Sequence, residues 1–459
     1  MITKLVPGAI LGLVFSELLL IAGAYVLAAA LMVNIDTVVW LVYEDGAIRI
    51  AIITAGIVIG LYFQDLYNRV TVHSRFLLLQ QISLVLGAGF LFQALLSYGS
   101  GWLALPRWVM MVGSLIVLLA LPAWRILYST AMMHGAAAER VLFLGCNQVA
   151  QQIAKELKDR PELGMSAIGF VADPPESDAL LPNSLLGPVS AFRRLVKELN
   201  PGRIVVGMAE RRQRMPVDEL LELNLSGHIV EDAASAYENV FGRISVLQLR
   251  PSQLIFSREL GPRPLMVKLQ SIYSFALALI GLVLFAPIML VVAVLVKLTS
   301  PGPILYRQKR VGRNGAGFTV LKFRSMQSDA EAETGAVWAQ RDDPRVTMLG
   351  RFLRKLRLDE LPQLINVLRG EMSVVGPRPE RPEFVATLSE KIPFYRQRHY
   401  IKPGITGWAQ INHKYGDTME DTITKLEYDL YYIKNLSPAL DFYIIFHTLK
   451  VMILSRGSQ

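Results

Sequence analysis

Cysteine is almost absent from this chain of 459 residues, with Cys146 its only example. A single cysteine excludes an intrachain disulfide and a cysteine-based zinc site. The six histidines do not cluster at metal-ligand spacing. Any bound metal is therefore expected to take oxygen ligands from carboxylates.

Charged residues are also scarce, at 19%, whereas 52% of the residues are hydrophobic. The two kinds are segregated: residues 302–402 hold 19 Lys and Arg against 11 Asp and Glu, which is +8 of the net charge of +9. A basic domain in an apolar protein indicates anionic headgroups or phosphorylated substrates as partners. No nucleic-acid partner is predicted, because no nucleic-acid motif accompanies the charge.

Four apolar runs open the chain, at 9–33, 48–63, 77–96 and 108–127. Each approaches or reaches the roughly 20 residues that a membrane-spanning helix needs, so residues 1–130 are predicted to form a four-helix transmembrane domain. The start of the chain lacks a secretory cleavage site, so the first run is expected to remain as an anchor. Basic residues after the second and fourth runs place both ends of the domain in the cytoplasm. We expect no acidic residue or lysine central in these runs, and so no transport pathway.

Residues 131–265 are predicted to form a cytoplasmic, Rossmann-like α/β domain with a parallel sheet, because buried-strand patterns occur at 140–145, 168–171 and 203–206. Its first turn degrades the dinucleotide fingerprint G-x-G-x-x-G, since Asn147 replaces the glycine that lets the backbone approach a pyrophosphate. A bound dinucleotide is the alternative. We favour a sheet that serves assembly or regulation, with a homodimer as one option, and assign no cofactor-binding residue there.

A fifth apolar run, at 272–296, holds the pair Ala286 and Pro287 near its middle. Proline removes a helix hydrogen bond and kinks the chain. A kinked helix that spans the bilayer is one course. The other is a re-entrant helix over 268–298, which breaks at this pair and returns to the face it entered. A lysine at each end of the run favours the re-entrant course, with both ends cytoplasmic.

The last region, 266–459, is predicted to be a mixed α/β, mainly helical domain. The alternating stretch at 318–324 predicts a strand with Lys322 and Arg324 on one face, and the stretch at 346–358 predicts an amphipathic helix. The aromatic residues near the C-terminus favour helices that lie in the headgroup region of a membrane. A buried soluble core is the alternative for that segment.

An adjacent pair of carboxylates, Asp359 and Glu360, lies among basic residues just before Pro362, which can open a helix. Carboxylates beside Arg357 and Arg378 suit a site in which these groups together bind a divalent cation and a diphosphate ligand. The alternative is an ordinary charged helix end, whose surface ion pairs contribute about 0–1 kcal/mol each.

Four motifs resemble the bacterial sugar transferase family: KFRSM at 322–326, LDELPQL at 358–364, VGPRP at 375–379 and KPGITGWAQI at 402–411. Its members are polyprenyl-phosphate hexose-1-phosphate transferases, or monotopic phosphoglycosyl transferases. The four N-terminal runs and the sheet domain resemble the long-form members, which start exopolysaccharide or O-antigen synthesis. The segments at 237–243 and 254–257 are more similar to exopolysaccharide members.

The resemblance implies a reaction and a role for each site residue. Asp359 would be the nucleophile that attacks the sugar-linked phosphorus of a nucleotide diphosphate sugar, such as a UDP-hexose, and releases UMP. Glu360 would be the partner carboxylate, and the pair would hold Mg²⁺. Undecaprenyl phosphate in the cytoplasmic (inner) bacterial membrane would then accept the phosphosugar. The implied substrate-binding residues are Lys322, Arg324, Arg357, Pro377, Arg378 and Pro379.

One departure and two competing functions remain. Small members of the family break the re-entrant helix at Ser-Pro, whereas this chain has Ala286-Pro287, so another group must satisfy the freed carbonyl. An NAD-dependent sugar-nucleotide dehydratase or epimerase would need a Tyr-x-x-x-Lys pair, and none of the 16 tyrosines has a lysine four residues later. A non-enzymatic membrane scaffold that binds sugar nucleotides is the second alternative.

Overall fold

A computed structural model describes residues 8–67, 75–99, 101–133, 138–174, 184–208, 215–246, 261–327, 345–413 and 418–453. The fold has two compact units, Met1–Ala236 and Tyr237–Gln459. The division into three domains at 1–130, 131–265 and 266–459 stays a prediction. The segment at 254–257, which resembled exopolysaccharide members, lies outside the described residues.

The first unit begins with a bundle of apolar helices. Its helices are α1 (Gly8–Met32), α2 (Thr37–Tyr43), α3 (Gly46–Phe63), α4 (Arg75–Gly99) and α5 (Arg107–Met133). All except the short α2 are long and apolar enough to cross a membrane, which agrees with the four predicted runs. Leucine, isoleucine and valine side chains pack between the helices, and α1 packs most extensively against α5.

The expectation of no central acidic residue in the runs is wrong. Glu17 lies in the middle of α1 with no exposed surface, and Nε of Arg125, in α5, lies 2.6 Å from its Oε1 atom. The hydroxyl of Tyr67 donates to the other carboxylate oxygen over 2.7 Å. A charge in hydrocarbon is tolerated when a partner neutralises it. This pair therefore fixes α1 against α5 inside the bundle.

A five-stranded parallel sheet follows in the same unit, as the sequence predicted. Its strands have the order β3-β2-β1-β4-β5. The elements are β1 (Glu139–Leu144), α6 (Gln148–Asp159), β2 (Met165–Val171), β3 (Leu185–Gly187), α7 (Phe192–Leu199), β4 (Arg203–Val206), α8 (Val217–Leu225) and β5 (Ile229–Asp232). Helix α9 (Ala233–Phe241) then leads into the second unit.

The degraded glycine turn is filled by side chains. Asn147 caps α6, and its Oδ1 atom accepts from the backbone N–H of Ala150 over 2.8 Å. A Cβ atom on Gly145, whose φ is +87°, would lie 2.6 Å from the backbone of Met208. The amide of Asn147 thus occupies the helix end where the fingerprint glycine would leave space.

The second unit is mixed α/β and mainly helical. Its elements are α10 (Pro264–Thr299), β6 (Leu305–Val311), β7 (Gly317–Phe323), α11 (Met348–Lys355), α12 (Gln363–Leu368), β8 (Ser373–Val375), α13 (Pro382–Lys391), β9 (Gly404–Thr406), α14 (Trp408–Asn412), α15 (Met419–Lys434) and α16 (Pro438–Ile453). Strands β6 and β7 form an antiparallel hairpin, and β8 pairs with β9 in parallel.

Helix α10 is continuous through Pro287, so the break in the helix predicted at Ala286 and Pro287 is not present. Within the described residues, α10 is the fifth helix that could cross a membrane. Ala278, before the proline, packs with Val320 and Val367. Val292 and Val296, after the proline, pack with Phe323 and Leu353. The residues that pack on α10 before and after Pro287 thus belong to one compact unit.

The C-terminal aromatic residues divide between the two predicted environments. Tyr431 and Tyr432, in α15, are buried, as the soluble-core alternative expects. Phe442 and Phe446, in α16, are 52% and 43% exposed, as interfacial helices expect. The amphipathic helix predicted at 346–358 is shorter in the structure, where α11 begins at Met348 and ends at Lys355.

Candidate functional site

The hairpin of β6 and β7 carries Lys322 to the site. Its turn is tight, with Asn314 and Gly315 at φ of +55° and +81°, and asparagine and glycine tolerate that left-handed region best. Lys322 lies opposite Tyr306 near the end of β7. The side chain of Asn366, in α12, accepts from the N–H of Leu321 over 3.0 Å and so ties β7 to the next segment of the site.

The carboxylate pair lies in a single 3-10 turn between α11 and α12. Arg357, just before the turn, has a φ of +54°, a region that non-glycine residues adopt at a cost and that is found at functional sites. Leu358 and Leu361 pack against the apolar cluster at the end of α10. Because these leucines face the core, Asp359 and Glu360 are directed away from it, and both are largely buried.

Three cationic side chains surround Glu360. Nζ of Lys322 lies 3.0 Å and Nη2 of Arg378 lies 3.2 Å from its Oε1 atom. Nη1 of Arg357 lies 3.8 Å from its Oε2 atom. Burial by itself would raise the pKa of Glu360, but these cations outweigh it and hold that pKa well below its usual range.

Asp359 has the opposite electrostatic balance. Burial, followed by repulsion from Glu360, raises the pKa of the Asp359 carboxyl, although Lys322, Arg354 and Arg378 oppose the rise. Its carboxylate takes part in none of the ion pairs that surround Glu360. As far as the described residues go, the oxygen lone pairs of Asp359 are therefore left for another group.

Arg378 lies in a loop whose backbone is held at several points. The loop follows β8, and β8 pairs with β9, which joins the motifs at 375–379 and 402–411. Glycine is required at Gly376 and Gly404 because a Cβ atom on either would collide with the backbone of the other strand. The two motifs can therefore approach as closely as their backbones allow.

The carbonyl groups of the loop have separate donors. The N–H of Gly404 donates to Pro377 over 3.0 Å, and Nη1 of Arg310 donates to Pro379 over 3.0 Å. Nη2 of Arg398 donates to the carbonyl of Arg378 over 3.0 Å. Pro377 and Pro379 thus act in the structure through their carbonyl groups, which fix the path of the loop on both sides of Arg378.

Arg324 does not join the cations around Glu360, and β7, which carries Lys322, ends at Phe323, just before Arg324. Its guanidinium instead donates to the carbonyls of Ser300 and Pro301, over 2.7 Å and 2.8 Å, just beyond the end of α10. It also donates to the carbonyl of Val296. The last carbonyls of a helix lack intrahelical partners and attract cations. This demand directs Arg324 toward α10, whereas Lys322 reaches Glu360.

Several buried polar residues that the sequence reading missed hold the site in place. Asn366 joins α12 to β7, and Arg398 pairs with Asp429 over 2.8 Å while it holds the Arg378 carbonyl. Gln270 and Asp441 form a further network near Val375. The sequence pattern that would identify these residues is weak, because a polar residue in a helical pattern is normally assigned to the solvent-exposed face of the helix.

The donor set fits a hard divalent cation. Asp359 and Glu360 supply carboxylate oxygens, and the Asp359 carboxylate is free of the ion pairs described above. No group of three or more candidate ligands occurs within the described ranges. Magnesium commonly uses one or two carboxylates and completes its shell with water and substrate phosphates, so two carboxylates are sufficient.

Two known proteins are similar to this chain over more than two thirds of its length, and a third is similar over about half. A UDP-glucose:undecaprenyl-phosphate glucose-1-phosphate transferase of Xanthomonas campestris pv. campestris is 32% identical over 75% of this chain and 72% of its own length. An Escherichia coli (strain K12) protein of the same name is 34% identical over 69% of this chain and 68% of its own length. A UDP-N-acetylgalactosamine-undecaprenyl-phosphate N-acetylgalactosaminephosphotransferase of Aeromonas hydrophila is 45% identical over 48% of this chain, which spans 52% of that relative.

The family model that matches is that of the bacterial sugar transferases, over residues 265–455. This range contains the carboxylate pair, the three cations around Glu360 and all four motifs, so the resemblance found in the sequence is confirmed. The chain belongs to the bacterial sugar transferase family, in its polyprenyl-phosphate branch.

Proposed function

We propose that this protein transfers a sugar-1-phosphate from a UDP-hexose to undecaprenyl phosphate and releases UMP. The observation that carries the proposal is the cluster of Lys322, Arg357 and Arg378 around a carboxylate pair. Three cations beside two carboxylates leave a surplus of positive charge, which suits a diphosphate. The names of the relatives from Xanthomonas and Escherichia coli describe the same reaction with UDP-glucose.

Asp359 is proposed to be the nucleophile. A carboxylate oxygen of Asp359 attacks the sugar-linked phosphorus, and a P–O bond forms as the bond to the bridging oxygen of the diphosphate breaks. The bridging oxygen leaves with UMP and takes the electron pair. The free position of the Asp359 carboxylate, outside the ion pairs of Glu360, supports this role.

Undecaprenyl phosphate completes the reaction. One of its phosphate oxygens attacks the phosphorus of the aspartyl phosphosugar, and the bond to Asp359 breaks, which restores the carboxylate. Lys322, Arg357 and Arg378 stabilise the negative charge that moves to the leaving oxygen in each step. Arg324 has no part in this set, because its guanidinium serves the end of α10.

Asp359 and Glu360 are the residues that would hold Mg²⁺. When bound, the ion screens the diphosphate so that an anionic nucleophile can approach it. Glu360 is suited to this role because its depressed pKa keeps it ionised.

A re-entrant course of α10, with the second unit on the cytoplasmic side, is part of the proposal. Residues on both sides of Pro287 contact the same compact unit: Gln270 donates to Val375, and Val296 packs with Leu353. A domain on one side of a bilayer can contact both ends of a helix only if both ends emerge on that side. Because α10 stays helical through Pro287, the proposed change of direction at Ala286 and Pro287 is a kink without a break, in the cytoplasmic (inner) membrane of a bacterium.

The sheet domain is proposed to be Rossmann-like in topology and not to bind a dinucleotide. The order β3-β2-β1-β4-β5 is that of the dinucleotide-binding sheets. The amide of Asn147, however, fills the helix end that a pyrophosphate would approach. An assembly or regulatory role suits a sheet that keeps this topology without its ligand turn.

The test is a transfer assay with the purified protein, undecaprenyl phosphate, Mg²⁺ and a panel of radiolabelled UDP-sugars. Label should move into the lipid fraction for one sugar, with an equal amount of UMP released. EDTA should stop the reaction, and Glu360→Gln should slow it and raise the Mg²⁺ concentration needed. If no UDP-sugar labels the lipid, the transfer proposal is wrong, and the scaffold alternative would gain support if UDP-sugars still bind.

A further inference from the structure

A buried carboxylate outside the proposed reaction, that of Asp441 in α16, accepts hydrogen bonds from three side chains. Tyr432 donates to its Oδ1 atom over 2.7 Å, and Nε2 of Gln270 donates to Oδ2 over 2.9 Å. The hydroxyl of Tyr273 also donates to Oδ2. Asp441 has no exposed surface, and a buried carboxylate with three donors is held in one orientation.

Two of the three donors also reach the carbonyl of Val375, at the end of β8. Nε2 of Gln270 lies 3.2 Å and the hydroxyl of Tyr432 lies 3.3 Å from this oxygen. Tyr432 has a single proton, which is best used on the charged and nearer acceptor, Asp441. The Tyr432 oxygen is then an acceptor for Gln270, at 2.6 Å.

The proton count therefore makes Gln270 the donor that serves Val375. Its amide nitrogen has two protons and three acceptors, the Tyr432 oxygen, Oδ2 of Asp441 and the carbonyl of Val375, so one proton is shared between two of them. The two nearer acceptors, Tyr432 and Asp441, fix the orientation in which the amide reaches Val375. Without the carboxylate of Asp441, the amide of Gln270 would lose one partner, and the hydroxyl of a second partner, Tyr432, would be free to turn. The donor to Val375 thus depends on a residue that does not touch Val375.

Val375 is the start of the loop that carries Arg378. The other end of the loop is held by Arg398, at 3.0 Å from the carbonyl of Arg378. Between these two points the guanidinium of Arg378 lies 3.2 Å from Glu360. A displacement of about 1 Å in a substrate-binding group can cost roughly 100-fold in rate, so the anchoring of Val375 bears on the reaction.

We propose that Asp441 is a positioning residue: through Gln270 and Tyr432 it holds the carbonyl of Val375, and so the loop that places Arg378 beside Glu360. The inference rests on the proposed transfer reaction. The first turns of α10, where Gln270 lies, then have a second role besides membrane attachment. Their contact with the loop sets the position of a diphosphate-binding arginine.

The first variant is Asp441→Asn, which keeps the shape of the side chain and replaces one acceptor by a donor. If Asp441 acts through Arg378, the variant should raise the KM for the UDP-sugar and the Kd for UDP about tenfold. A role in folding alone would lower the melting temperature and the active fraction but would leave both constants unchanged. UDP is the probe for binding because it has the diphosphate and cannot react.

The decisive measurement is a double-mutant cycle with Arg378→Gln, read as the Kd for UDP. Asp441→Asn should weaken UDP binding to the wild type about tenfold and to the Arg378→Gln protein less than twofold, because the residue it positions is gone. An equal loss in both backgrounds would overturn the positioning role. A wild type that neither binds UDP nor transfers sugar would instead refute the proposed function, so the two failures differ.

Two further variants protect the test against misfolding. Tyr432→Phe removes only a hydroxyl from the network, and it should raise the Kd for UDP about as much as Asp441→Asn does. If Asp441→Asn does not fold, Tyr432→Phe tests the positioning role in its place. Tyr237→Phe is the matched control, because Tyr237 also donates to a buried carboxylate, that of Glu427 at 3.1 Å, away from the loop. It should leave the Kd for UDP unchanged, and an equal rise in both tyrosine variants would contradict the proposal.

Discussion

Nζ of Lys322 lies 3.0 Å from Oε1 of Glu360, which joins two residues 38 positions apart in the chain. Nη2 of Arg378 lies 3.2 Å from the same oxygen. One carboxylate oxygen thus gathers a cation from β7 and another from the loop after β8. A diphosphate that enters the site offers these cations stronger acceptors than a single carboxylate does.

Asp359→Asn should abolish transfer of the phosphosugar to lipid and leave the fold intact. An amide cannot act as the nucleophile, and Asp359 has no ion pair with the described residues whose loss would destabilise the unit. The measurements are lipid labelling and the melting temperature, with mass spectrometry to exclude deamidation back to Asp. A few per cent of wild-type turnover in a verified Asn protein would show that Asp359 is not a covalent catalyst.

Lys322→Gln and Arg324→Gln should separate binding from stability, although the two residues are neighbours in one motif. Lys322→Gln should raise the KM for the UDP-sugar, because Lys322 lies beside Glu360. Arg324→Gln should instead lower the stability by about 1.5–3 kcal/mol, because charged hydrogen bonds to the end of α10 are lost. Its folded fraction should keep the wild-type KM, and a raised KM with unchanged stability would return Arg324 to the site.

His399 should make the protein sensitive to acid. Burial, followed by the charge of Arg398, lowers the pKa of His399 to about 4, whereas an unfolded histidine has a pKa near 6.5. The unfolded state therefore binds the proton first, and stability is lost as the pH falls from about 6.5 toward 4, at up to about 1.4 kcal/mol per pH unit. In His399→Gln, the melting temperature should fall less steeply over this range, and a slope identical to that of the wild type would contradict the assignment.

NAD should not stabilise the protein, because the amide of Asn147 caps α6 where a pyrophosphate would bind. A Kd of about 10 µM would stabilise the folded protein by about 2.7 kcal/mol at 1 mM ligand, which a thermal shift would reveal. The purified protein should also carry no NAD. Asn147→Gly serves as the comparison, and a clear shift with NAD in the wild type would show that the turn still binds a dinucleotide.

Both units should be protected from a membrane-impermeant thiol reagent added to intact spheroplasts. Single cysteines at the exposed positions Lys158 and Arg313, in a Cys146→Ser background, report on each side of α10. Both should react only after the membrane is permeabilised. Labelling of position 313 from outside, while 158 stays protected, would show a fifth span and exclude the re-entrant helix.

Pro287→Ala tests the same course of α10 by function. Restoring the helix hydrogen bond should favour a straight helix, so that the second unit reaches the wrong side or misfolds and lipid labelling is lost. Pro264→Ala is the control, because Pro264 opens the helix, where proline removes no hydrogen bond. Full activity in Pro287→Ala would show that the proline is not needed for the helix to return.

The sequence by itself determined the family and most of the elements, and it predicted the carboxylate pair as the site. Apolar runs of membrane length, strand patterns at 140–145 and 203–206, and four motifs in the order of a known family are local features. Such features can be recognised in the sequence because the backbone period and the side-chain types depend only on neighbouring residues. Asp359 and Glu360 were recognisable for the same reason, since two adjacent carboxylates among arginines stand out in a linear chain.

Only the tertiary structure decided which polar groups meet. Lys322 and Arg324 are two residues apart and look equivalent, yet one reaches Glu360 and the other the end of α10. Glu17 finds Arg125, and Asp441 gathers Gln270, across long stretches of chain. A buried polar side chain goes where an unsatisfied partner lies, and that partner is set by the packing of distant elements, which no local pattern in the sequence records.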